Sequence, residues 1–180
     1  MRTESFPRFL SSCPSIVRRP LSKSTFSHFN PKASAEVIKY GVILDKNLYD
    51  TLSNIPFDRE SVVARCVEIK RDVVQQDEFD NGIRGLLNFG HTFGHAIEKL
   101  SNFGVSHGAA VAKGMYIAAK MAPLCGLCNV ADELSALLEK YGFDISCDYS
   151  ACELYDAILS DKKRRGGSIS VVLDRKSTRL

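Results

Sequence analysis

Residues 88–98 read NFGHTFGHAIE, with two histidines four residues apart, each following a glycine. The chain has 4 histidines, and three of them, His91, His95 and His107, fall within one short stretch; the fourth is His28. On a helix, His91 and His95 lie one turn apart on the same face. Gly90, Gly94 and Gly108 sit beside them, and a glycine next to a ligand permits close backbone approach. Neutral imidazole is a good zinc ligand. A third ligand can return after the turn at Gly104. The stretch is not HExxH, so a zincin-type protease is not indicated. The residues alone leave the carboxylate partner open among Glu36, Glu68, Asp77, Glu78 and Glu98.

The rest of the chain frames this motif in helix. Apolar residues recur at helical spacing from Ala35 to Tyr49 (Val37, Ile38, Val42, Leu48). After a break at Pro56 and Asp58, a second helix spans Glu60 to Gln76, with Val63, Val67, Ile69, Val73 and Val74 apolar. Residues 77–82 form an acidic loop. Helix continues from His95 to Leu100 and ends at Asn102-Phe103-Gly104. A small-residue, apolar run follows from Gly108 to Met121. Within it Lys113 is expected to snorkel outward or to mark an exposed face. Asp132 to Tyr141 reads as a helix stopped by Gly142. Ala151 to Leu159 reads as one stopped by Ser160. Only Ile169 to Leu173 reads as a strand. The expected class is mainly α, with at most a short strand near the C-terminus. Three regions are expected: residues 1–34 as a disordered or foreign segment, 35–173 as the helical domain, and 174–180 as a tail.

Composition excludes several function classes. Hydrophobic residues make up 44% and charged residues 25% of 180, a globular balance. No apolar run approaches the ~20 residues of a membrane-spanning helix. The net charge of +3 is too mild to indicate nucleic acid. The basic run Lys162–Arg165 has no aromatics interleaved to stack bases. It reads as a solvated face or as a phosphate contact. Residues 1–30 are rich in Ser, Pro and Arg, and an organellar targeting segment has similar composition. The six cysteines are read as free thiols of a reducing, cytoplasmic compartment. Cys125 and Cys128 read as a helix end packed by small residues, with a redox dithiol or half a zinc site as alternatives. No GxGxxG stands between a strand and a helix, so no dinucleotide fingerprint is present.

Several segments, in order, resemble the 3-dehydroquinate synthase family. These are AEVIKYG at 35–41, Arg84 with LNFGHTFGHAIE at 87–98, SHG at 106–108 with AVA at 110–112 and GM at 114–115, and DKK at 161–163 with GG and VVL. The likeness covers about residues 35–173. It implies a helical, zinc-binding C-terminal domain. It implies Glu36, His91 and His107 as ligands of zinc, or of cobalt in some members. His95 would assist proton transfer near the substrate phosphate. Lys39 and Lys70 would hold the substrate carboxylate and ring hydroxyls. Arg84, Asn88 and one of Lys162 and Lys163 would complete substrate binding, with Arg84 and the late lysine on the phosphate side. The implied substrate is a phosphorylated seven-carbon sugar acid, 3-deoxy-D-arabino-heptulosonate 7-phosphate. NAD is the implied redox cofactor and a homodimer the implied assembly.

The family is roughly twice this length, and an N-terminal α/β domain carries most of its NAD site. The expectation is therefore a partial chain that is inactive alone. The alternatives are a related sugar-phosphate cyclase and a non-catalytic remnant that binds zinc. Ala109 stands where many members carry Glu.

Overall fold

The computed structural model describes residues 31–54, 56–80, 82–165 and 170–173. Among the described residues seven α-helices follow in order: α1 (Pro31–Ile43), α2 (Lys46–Ser53), α3 (Arg59–Gln76), α4 (His91–Leu100), α5 (His107–Met121), α6 (Ala131–Lys140) and α7 (Ala151–Arg165). Short 3₁₀ turns at Ile83–Asn88 and Ala122–Cys125 precede α4 and follow α5. The fold is mainly α, as the periodicity implies.

α5 is the centre. Its small residues let neighbours approach from several sides: Gly108, Ala110, Val111, Ala112, Gly114, Met115, Ala118 and Ala119 are all buried. Helix α4 shares the most extensive interface with it, and α1 and α6 also lie against it. Most of the largest fully buried side chains, among them Phe89, Ile38, Ile97, Leu134 and Leu138, come from the segments around this axis. Burying such side chains contributes about 1.5–3 kcal/mol each before entropy is counted.

The structure corrects five expectations. The single helix over 35–49 is two helices, because Asp45 ends one and caps the next. Its side chain accepts from Leu48 N, and both Leu44 N and Asp45 N donate to Tyr40 O. An aspartate at that position satisfies an otherwise orphaned N–H. The buried stripe of α3 is Val62, Cys66, Ile69 and Val73. Val63 and Val67 are 46% and 63% exposed, one residue off the face that packs. Ser160 does not stop α7, which runs to Arg165. Its hydroxyl donates to Ala157 O, a within-helix bond that leaves the ladder intact. Residues 170–173 form no strand. They have no strand to pair with among the described residues, and an unpaired strand leaves its backbone groups unmatched. Val171, Val172 and Leu173 pack on the core instead, and Ser170 O accepts from Thr92 Oγ1. Finally, Cys125 and Cys128 are free and exposed rather than packed.

Lys113 does reach outward, but to a fixed partner. Its ammonium pairs with Asp144 at 2.9 Å and donates to Ser146 O. That pairing, with the Ser146 N–H and hydroxyl, holds the Asp144 carboxyl well below its usual range. The segments 1–30 and 174–180, with His28, lie outside the described residues, as do the side chains of Lys162 and Lys163. The backbone of that lysine pair belongs to α7.

Candidate metal centre

Three helices deliver the chemistry. α1 carries Glu36 and Lys39, α4 opens on His91 and carries His95 one turn on, and α5 opens on His107. Glycine allows the delivery. Gly90 precedes α4 at φ 79°, a backbone that L side chains rarely adopt. A Cβ on Gly114 would sit 2.0 Å from Gly90 O and 2.7 Å from Gly94 N. Helices α4 and α5 therefore meet backbone to backbone.

The turn between them is equally specific. Asn102 and Phe103 take φ 49° and 60°, both left-handed. Phe103 N donates to Glu98 O at 2.7 Å. Ser101 Oγ donates to the same carbonyl and accepts from Val105 N. This reversal returns the start of α5 over α4 and places His107 beside His91 and His95. The ring centroids are 5.6 Å apart for His91–His95, 5.4 Å for His91–His107 and 6.2 Å for His95–His107.

Glu36 Oε1 lies 3.5 Å from His91 Nε2. The other carboxylate oxygen, Oε2, takes Lys39 Nζ at 2.6 Å, and Lys39 also donates to Leu87 O at 2.6 Å. Lys39 is only 2% exposed. Burial pushes its ammonium below the usual lysine range, Glu36 pulls it back up, and the charge of Lys70 pushes it down again. His91 Nδ1 faces Phe89 O at 3.2 Å. Burial and the Lys39 charge lower the His91 ring below its usual value, against the Phe89 carbonyl and Glu36. The neutral imidazole so favoured is the form that binds metal.

Donor atoms of Glu36, His91 and His107 all lie within 4.8 Å of one another. A tetrahedral zinc with bonds of about 2.0–2.2 Å sets ligand atoms about 3.3–3.6 Å apart. The Glu36–His91 separation already meets that spacing, and one carboxylate with two imidazoles suits a borderline cation. These residues fit a divalent metal such as zinc. A second donor set, His95, Glu98 and His107, satisfies the same distance limit. His107 belongs to both, and its Nδ1 lies 3.0 Å from Glu98 Oε1.

The geometry narrows the carboxylates that the sequence leaves open. Glu68 pairs with Arg65 at 3.1 Å. Asp77 accepts from Gly82 N and Arg84 N. Glu78 is exposed. Glu36 and Glu98 alone of the five join a donor set. Among the other expected site residues, Lys70, Asn88 and His95 are exposed and Arg84 is half-buried. Arg84 donates from its guanidinium to Glu78 O. Two features escape sequence reasoning: the strap from Lys39 to Leu87, and the pairing of Glu98 with His107. The seven-residue spacing from His91 to Glu98 signals a shared helix face. The turn at Gly104 signals that His107 can return, but nothing local sets it against Glu98.

Residues 33–164 match the family described as 3-dehydroquinate synthase C-terminal. Over 149 residues the chain is 41% identical to a 3-dehydroquinate synthase of Streptococcus sanguinis (strain SK36), covering 77% of this chain and 42% of that protein. It is 40% identical over 149 residues to the corresponding enzyme of Enterococcus faecalis (strain ATCC 47077 / OG1RF), with the same coverage. It is 41% identical over 153 residues to that of Pelobacter propionicus (strain DSM 2379 / NBRC 103807 / OttBd1), covering 78% and 43%. The chain thus spans less than half the length of these relatives. Among solved structures, ValA, the 2-epi-5-epi-valiolone synthase of Streptomyces hygroscopicus subsp. jinggangensis 5008 with NAD+ and Zn2+ bound, superposes with a TM-score of 0.70 at 21% identity. That match covers 81% of this chain and 44% of ValA, and it speaks to the fold. With the helical fold, the glycine-packed histidine helices and the matched residues in agreement, this chain belongs to the 3-dehydroquinate synthase family and carries its C-terminal domain.

Proposed function

We propose that residues 35–173 are the metal-binding part of a cytoplasmic 3-dehydroquinate synthase of the shikimate pathway, which converts 3-deoxy-D-arabino-heptulosonate 7-phosphate to 3-dehydroquinate and phosphate. The observation that carries this reading is the convergence of Glu36, His91 and His107 donor atoms within 4.8 Å, in a domain about 41% identical to curated synthases. Glu36, His91 and His107 hold zinc. Zinc when bound supplies Lewis acidity toward a substrate hydroxyl, and NAD, placed by the N-terminal domain of the family, supplies the hydride exchange.

The chain's own residues bind and orient. Lys39 and Lys70 hold the substrate carboxylate and ring hydroxyls as cations. Arg84 and one of Lys162 and Lys163 address the phosphate end, where a planar guanidinium matches phosphate oxygens, and Asn88 adds a further substrate contact. His95, exposed beside the other two imidazoles, exchanges a proton near the phosphate. The low dielectric around Lys39 strengthens its pull on a carboxylate. The functional unit is a homodimer, and turnover requires the NAD domain of the family beside this one. A related sugar-phosphate cyclase is the second reading, favoured by the fold shared with ValA; product identity separates the two.

Zinc per protein, measured by elemental analysis on the purified chain and on a His91→Ala/His107→Ala variant, tests the reading. One zinc per chain, lost in the variant, supports it. A folded parent chain that takes no zinc from zinc-containing buffer sinks it. Phosphate release after mixing with the NAD domain of a relative then tests turnover.

A further inference from the structure

The two overlapping donor sets pose a choice that the fold must make. Both need His107, and a neutral imidazole has one protonated nitrogen and one lone pair. Glu98 Oε1 lies 3.0 Å from His107 Nδ1. A carboxylate only accepts, so this contact puts the ring proton on Nδ1 and leaves the lone pair on Nε2.

We propose that Glu98 is a positioning residue of the metal centre: by holding the Nδ1–H of His107, it commits Nε2 to the Glu36–His91 side and disables the competing set with His95. This rests on the reading that the centre binds a divalent cation.

Three further observations carry the assignment. The Glu98 side chain is only 15% exposed, so water competes poorly for its oxygen. Its backbone carbonyl anchors the very reversal that returns His107, through Phe103 N and Ser101 Oγ. Side chain and main chain of one residue therefore fix both the position of His107 and its proton. The second imidazole obeys the same logic by another device. His91 Nδ1 faces Phe89 O, which leaves its Nε2 toward Glu36 Oε1. Partners on the far nitrogen orient a ligand histidine and raise its basicity. One of these partners is a backbone carbonyl, beyond the reach of a side-chain substitution. The other is Glu98, and it can be changed.

The test compares the wild-type chain with Glu98→Gln and Glu98→Ala. The first readout is the tautomer of His107 in metal-free protein, from long-range proton–nitrogen NMR at mildly alkaline pH. The second is zinc affinity by competition with a chromophoric chelator, and circular dichroism confirms that each variant is folded. The wild type is expected to carry the proton on Nδ1. Glu98→Gln keeps an acceptor there, so it should keep that tautomer and most of the affinity. Glu98→Ala should shift the proton toward Nε2 and weaken zinc ~10–100-fold.

Two results overturn the proposal. One is a folded Glu98→Ala with the wild-type tautomer and zinc within about threefold of wild type. The other is equal, complete loss of zinc in both variants with the tautomer unchanged, which makes Glu98 itself a ligand. A wild-type chain that binds no zinc counts against the metal reading instead. The metal-free tautomer still decides whether Glu98 sets the His107 proton.

Discussion

Replacing Gly114 by alanine adds one methyl group at the closest approach of α4 and α5. That Cβ would lie 2.0 Å from Gly90 O, 2.7 Å from Gly94 N and 3.0 Å from Gly90 C. Ordinary contact begins near 3.4 Å, so the helices must part by about 1.4 Å locally, in an interior packed as densely as an organic crystal. All three obstacles are backbone, so no side-chain rotation relieves them. Overpacking of this kind costs about 1–3 kcal/mol and occasionally more; with rigid obstacles on an axial helix, Gly114→Ala should cost about 3 kcal/mol or more. That corresponds to a fall in Tm of roughly 6–15 °C for a domain of this size. The metal centre should suffer as well, because His91 rides on α4 and His107 on α5. A metal site tolerates only about 0.2 Å in ligand distance. The assay is thermal unfolding by circular dichroism beside zinc affinity, with Gly85→Ala as control, since a Cβ there meets nothing within 4 Å. A Gly114→Ala chain that melts with the Gly85→Ala control and binds zinc as tightly would refute the close-contact argument.

Other perturbations probe the frame around the site. Lys39→Met leaves Leu87 O and Glu36 Oε2 without their donor and should cost about 1–3 kcal/mol in urea unfolding; no change in the midpoint would show the strap to be idle. Burial raises the Asp45 carboxyl, but Arg65 and the N–H groups of Leu48 and Asn47 outweigh it, and the net effect is a value below the usual aspartate range. Its folded value lies below its unfolded one, so it stabilises the fold above the unfolded value and that gain disappears as pH falls through the folded one. In acid titrations Asp45→Asn should therefore narrow the stability difference between neutral and acidic pH, and an unaltered acid profile would count against the Arg65 pairing. Asp58 caps α3 through Glu60 N and Ser61 N, so Asp58→Ala should lose about 0.5–2 kcal/mol; a midpoint equal to wild type would mean that the first turn of α3 needs no side-chain cap.

The sequence by itself determined the helical class, the apolar face of α1, and the local pairing of His91 with His95, because these depend on residues three or four apart. It also determined the family, since the motif 87–98 is long and specific. Tertiary structure decided what local spacing cannot encode. Whether Val62 or Val63 faces inward depends on where α3 meets its neighbours. Whether 170–173 is a strand depends on a partner strand. Which carboxylate meets the imidazoles depends on α1 coming to lie against α5, far along the chain from both histidine helices. The same holds for His107: the left-handed turn at Asn102 and Phe103 and the bare backbone at Gly90 and Gly114 bring it over Glu98. Periodicity reports which face of an element is apolar. Only close packing of whole elements fixes which atoms on those faces come within bonding distance.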